Sequence, residues 1–170
     1  MSASELAARQ ARERADGRFS GRAEPRLEPR IMSRGYLLVR VDGKAYGLPL
    51  ARVLEVGDLA EVLEVPRALP AMRGLTPVRG RLVPVVHLGA LMSDRTPPPE
   101  RGRTAVLVEI GAGEGARRVA FEVEDADDVV REAALPVPRG ESLPWASGVA
   151  RRRGALVPIL DLDALGDRIG

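Results

Sequence analysis

The side chains that could do chemistry in this chain are few and scattered. His87 is the single histidine, and there is no cysteine. A lone imidazole can serve as acid or base, but here no thiol stands beside it, and any metal site would need several carboxylates from elsewhere in the chain. The reading it supports is a packed or partly exposed histidine. The densest carboxylate run is Glu122, Glu124, Asp125, Asp127 and Asp128. It lacks the glycine and closing glutamate of an EF-hand loop, so it reads as a solvated face or a partner surface. Gly111-Ala112-Gly113-Glu114-Gly115 follows a strand-like segment and leads into another, not into a helix. A phosphate cradle needs the helix N-terminus that is missing there. Arg151-Arg152-Arg153 is a turn cluster that solvent can satisfy. Trp145 lies between Pro144 and Gly148, either as a binding anchor or as a plug in a core. No nucleophile–base constellation emerges, so catalytic, cofactor and metal residues are all expected to be absent.

The basic balance of the chain is a local matter. The sequence carries 26 Lys and Arg against 24 Asp and Glu, with a pI near 9.6. Residues 1–34 hold eight arginines and five acids, which leaves 18 basic and 19 acidic groups for the remainder. All the excess therefore lies in the tail, and the body is close to neutral. A body shaped to neutralise phosphates would look different. With aromatics at 3% it also offers no stacking platform for bases. A small-barrel nucleic-acid binder with a basic arm is kept only as an alternative. No apolar h-region opens the chain, and no apolar run approaches the ~18 residues of a membrane span.

Elements that could position anything begin at Gly35. Residues 1–34 read as a disordered Arg-rich tail, with a short helix plausible over about Ser4–Ala15 from the capping-box spacing. Tyr36–Val41 reads as a strand, Asp42-Gly43 as a hairpin turn, and Ala45–Leu50 as the return strand. Val65–Gly74 carries Pro66 and Pro70 and reads as loop. Arg79-Gly80 is a second turn. Leu82–Val86 is strand-like despite Pro84, which predicts an edge position or a bulge. Ser93–Arg103 is a connector, and the pattern restarts at Thr104–Ile110.

The restart is a repeat. An offset of 74 lays Leu69–Leu91 on Leu143–Leu165 with 11 identities in 23 positions and no gap. Arg79-Gly80 falls on Arg153-Gly154, and Leu82-Val83-Pro84 on Leu156-Val157-Pro158. Tyr46–Val56 follows more weakly on Val119–Val129, at 73. Each copy holds about five short strands, which predicts a mainly β protein of two small barrels packed by pseudo-twofold symmetry, with few helices. The predicted division is 35–98 for the first subdomain and 99–170 for the second.

Over about Gly35–Asp167 the residues resemble the CheW-type coupling domain of bacterial chemosensory signalling. The resemblance rests on YGLPL (Tyr46–Leu50) with RVLEV (Arg52–Val56), on VPRALPAMRGLTPVRGRLVPVVHL (Val65–Leu88), and on GVARRRGALVPILDL (Gly148–Leu162). It implies two five-stranded SH3-like barrels and a non-enzymatic scaffold in the cytoplasm, recruited to receptor arrays at the inner face of the membrane. The implied partners are the regulatory domain of a CheA-type histidine kinase and the cytoplasmic tip of a methyl-accepting chemoreceptor, with other CheW-like domains as further candidates. The resemblance also implies no membrane insertion and no cofactor. By motif match Arg79, Gly80 and Val53 fall on the receptor-binding face, with Glu55 and Val56 as kinase- or partner-binding candidates. A specialised relative that binds only one of the two partners is a further alternative. Departures from the family pattern are His87 where it has Asp, Pro77 at a usually polar position, the Arg-rich tail, and little room for a C-terminal helix before Gly170.

Overall fold

A computed structural model describes residues 35–59, 61–66, 69–140 and 143–170, with Asp127 described by its backbone alone. The tail over 1–34, including the helix expected near Ser4–Ala15, lies outside these residues.

Ten strands form two five-stranded sheets. In chain order they are β1 (Tyr36–Val41), β2 (Lys44–Pro49), β3 (Val53–Asp58), β4 (Met72–Val78), β5 (Arg81–His87), β6 (Thr104–Ile110), β7 (Arg117–Val123), β8 (Asp125–Val130), β9 (Ala146–Arg152) and β10 (Ala155–Leu160). Helix α1 (Leu88–Ser93) follows β5 and helix α2 (Leu162–Ile169) follows β10. The C-terminal helix that the chain end seemed too short to hold is thus present as eight residues.

One sheet runs β8-β1-β2-β10-β9 and the other β3-β6-β7-β5-β4. Adding five to each strand number, cyclically, converts one order into the other, so the duplication in sequence is a duplication in structure. The strand exchange was not foreseen. Each sheet takes two strands from one repeat and three from the other, so 35–98 and 99–170 do not correspond to the two sheets. The exchange takes place at two links. Only one turn of 3-10 helix (Leu50–Arg52) separates β2 from β3, and only Glu124 separates β7 from β8. At each of them the chain passes directly into the other sheet.

Both faces of each sheet are buried. Leu37, Val39 and Leu48 of the first sheet and Val86, Val106, Val108 and Phe121 of the second pack together in the core between the sheets, joined by Leu88 and Leu91 of α1 and Leu162 and Leu165 of α2. Smaller inner cores fill the opposite faces: Val83, Val85, Ala105, Leu107 and Ala120 in one, Tyr36, Val130, Ala150, Val157 and Ile159 in the other. This explains why β6 is a continuous apolar run, since alternation is expected only of strands with a wet face.

The turns follow local chemistry. Asp42-Gly43, Arg79-Gly80 and Arg153-Gly154 each have two residues of positive φ, from 49° to 79°. That is the geometry of the type I′ hairpin, and glycine fills its second position without strain. Pro84 does not sit on an edge strand, because β5 lies between β7 and β4. Its register with β7 starts only at Val85, however, so the stretch containing Pro84 has a partner on one side and needs no second donor. Pro158 repeats the arrangement, with β10 meeting β2 at Ile159.

Candidate interaction site

The Arg79-Gly80 turn lies at the end of edge strand β4, and β3 is the opposite edge of the same sheet. The Arg79 guanidinium forms an ion pair with the Glu55 carboxylate on β3. The pair ties the two edges together and closes the sheet around its inner core. Glu55 is only 7% exposed, and its Oε2 is buried with no hydrogen-bond partner. Burial lowers the pKa of Arg79 from its ordinary value, and neighbouring Arg118 adds to the shift. Arg118 itself stands opposite Glu109 in the β6–β7 register.

Beside the turn lies an apolar pair. Pro77 and Leu82 face each other in the β4–β5 register, both are exposed, and Leu82 is 56% accessible. Gly80 has open space where a Cβ would stand. Gly80→Ala is therefore expected to cost only the left-handed backbone penalty, about 1–2 kcal/mol, with no clash; urea unfolding of the variant checks this.

The other candidates fall differently. Val53 is half-buried on β3, packs against the core between the sheets and pairs with Val108. Val56 packs in the same core and is 7% exposed, which leaves a partner almost nothing to touch. Two side chains three apart can share that core because the β3–β6 register shifts between Val53 and Glu55, a bulge that turns Leu54 to the inner core. The geometry thus brings together Glu55, Arg79 and Gly80, and sets Val53 partly and Val56 wholly against the core between the sheets. Leu82 and Arg118 were missed in the sequence. Leu82 looks like any strand apolar residue, and only the register shows that it points outward.

The second sheet closes in a related way with different residues. Arg152 pairs with Asp128 at 3.3 Å, joining edge strands β9 and β8. Asp128 is the repeat mate of Glu55 at the offset of 73, but the arginine used is one place earlier than the mate of Arg79. Arg153 stays exposed in its turn.

A second polar assembly was not anticipated. Arg73 and Glu122 form a buried ion pair at 2.8 Å, with side chains 8% and 2% exposed. Arg73 also donates to the carbonyls of Pro98 (2.5 Å) and Glu100 (2.9 Å), and Glu122 accepts from the Gly102 amide at 2.5 Å. Together they fasten the connector between the repeats. The acidic run is therefore not one surface. Glu122 is buried, Glu124 accepts from the Gly43 amide and Asp128 pairs with Arg152. Among the described residues, no group of three or more His, Asp or Glu converges to hold a metal ion. No described helix is long and apolar enough to cross a membrane. Trp145 meets Tyr46 edge-on, with ring centroids 5.6 Å apart, at the rim of the core between the sheets.

Two small β-barrels of one ancestry, packed face to face and presenting an arginine turn beside an apolar pair, define a scaffold of paired SH3-like barrels. The sequence profile of the CheW-like domain matches residues 35–169, and the chain belongs to that family. The crystal structure of the scaffolding protein TtCheW from Thermoanaerobacter tengcongensis is similar, with a TM-score of 0.66 and 19% sequence identity. The similarity covers 79% of this chain and 92% of that one. No curated protein matches the sequence significantly.

Proposed function

We propose that the chain is a non-catalytic adaptor of a chemosensory array, joining a chemoreceptor's cytoplasmic tip to the regulatory domain of a CheA-type histidine kinase on the cytoplasmic side of the membrane. Membership of the CheW-like domain family supports the chemotaxis adaptor class. The observation that carries the site is the Arg79–Glu55 ion pair, which holds a guanidinium at the head of a rigid turn beside exposed Pro77 and Leu82. A fixed cation next to an apolar pair suits a helical tip with an acidic residue flanked by apolar ones, and a pre-ordered arginine loses little entropy on binding.

The test must separate binding from folding, because Arg79 also neutralises a buried carboxylate. Charge reversal at Arg79 would set two carboxylates against each other and disturb the sheet closure. Arg79→Gln and the double variant Arg79→Gln/Glu55→Gln are therefore compared by pull-down and titration with a receptor-tip fragment. Both are expected to bind about tenfold more weakly, the loss of ~1.4 kcal/mol at an interface arginine. Binding of the double variant at the wild-type level would reduce Arg79 to a structural role. Titration with the kinase regulatory domain alone tests the second partner.

A further inference from the structure

His87 and Asp161 are repeat mates that do one job with different chemistry. Each is the N-cap of the helix that follows. Asp161 Oδ1 accepts from the Ala164 amide at 3.1 Å on α2, and His87 Nδ1 accepts from the Ala90 amide at 3.0 Å on α1. An imidazole nitrogen can accept only when it carries no proton, so the cap requires neutral His87 with its hydrogen on Nε2. The cap of α2 is a carboxylate, whose two oxygens accept without depending on a ring tautomer.

The surroundings of His87 explain the exchange of residue types. Glu122 of β7 is its register partner, and Glu122 is paired with Arg73 of β4. Asp42 of the β1–β2 turn and Arg95 beyond α1, themselves paired at 2.5 Å, face it from the other side. The imidazole thus sits between two ion pairs, each internally balanced. An aspartate there would add a third negative charge beside Glu122 and Asp42. A neutral cap adds none, and a protonated one adds an uncompensated positive charge.

Helix α1 has much to lose with its cap. It is only six residues long, and its Leu88, Ala90 and Leu91 are buried in the core between the sheets with Leu162 and Leu165 of α2. Its last carbonyls are held from α2, where Arg168 donates to Leu91 at 3.0 Å. We propose that His87 is a proton-operated latch: on mild acidification the imidazolium releases the Ala90 amide, and α1 loosens from the seam between the two sheets while α2 stays capped.

Burial, the largest cause, lowers the pKa of His87 below its ordinary 6.5; Arg73 and Arg95 add to this, and Glu122 and Asp42 oppose it. The unfolded chain therefore takes up the proton before the folded one does. The contribution of the neutral cap is complete above about pH 6.5 and is lost as the pH falls through the lower folded value.

Because His87 is the sole histidine, its imidazole C–H resonances can be followed without ambiguity in the full chain. The wild type is expected to show an imidazole titrating below 6.5 and an Ala90 amide shift that moves with the same midpoint. Hydrogen-exchange protection in α1 is expected to drop by roughly threefold to thirtyfold across it, the weight of one cap. His87→Asn keeps a neutral acceptor at every pH and is expected to hold α1 protection flat over that range, while His87→Ala lacks it throughout. The latch is overturned if the imidazole titrates at 6.5 or above, if the Ala90 amide ignores the titration, or if His87→Asn loses the same protection as the wild type.

Discussion

Replacing Arg73 with alanine is expected to remove about 3–5 kcal/mol of stability, the usual cost of leaving one member of a buried ion pair without its partner. Glu122, 2% exposed, would keep only the Gly102 amide for company. The carbonyls of Pro98 and Glu100 would lose the guanidinium that now donates to them. Domains of this size are stable by only about 5–15 kcal/mol, so the melting temperature should fall by roughly 10 °C or more. Urea unfolding followed by circular dichroism measures the loss. Arg73→Met with Glu122→Gln should recover much of it, because the glutamine still accepts from Gly102 and no buried charge is stranded. If the single variant unfolds with the wild-type midpoint, the ion pair is not holding the connector.

Phe121→Ala is the second large effect, at about 3–5 kcal/mol. Phe121 is fully buried on β7, opposite Val106 of β6 and Val86 of β5. Among the described residues it is the one phenylalanine of the core between the sheets, whose other buried members are aliphatic. Its neighbours are short branched side chains on fixed strands, so they cannot collapse into the void. Phe121→Leu, which keeps most of the volume, should cost less than half as much. Equal midpoints for the two variants would mean that the core relaxes around the gap.

Much of the local structure was legible because it is decided locally. Tyr36–Val41 and Thr104–Ile110 read correctly as strands, and Asp42-Gly43 and Arg79-Gly80 as hairpin turns, since a positive-φ dipeptide between apolar runs admits few conformations. The repeat gave the number and kind of strands. It did not give their partners, because similarity says which strands are equivalent and not which are adjacent. The partner question turned on two links, Leu50–Arg52 and Glu124, whose lengths carry no obvious signal. The site shows the same limit. Arg79 and Gly80 were marked by the resemblance, but its pairing with Glu55 depends on two sheet edges meeting. Val56 was named through the resemblance, and its burial at 7% exposure follows from how β3 packs, which a motif match does not carry. Arg73 and Glu122, 49 residues apart, have nothing in the sequence that joins them. The repeat already paired His87 with Asp161, but that both cap a helix appeared only in the structure.

The exchange of strands between the repeats also has a mechanical consequence. Separating the two repeats under load would mean stripping strand from strand, at β1–β8, β2–β10, β3–β6 and β5–β7, because every one of those seams joins one repeat to the other. Such ladders resist shear as a set of bonds that must fail together. A pull applied at the Arg79 turn reaches the other sheet along the chain links at Leu50–Arg52 and Glu124 and through the core between the sheets. The molecule is built as a stiff strut, and a strut holds whatever grips its two ends at a fixed separation and angle.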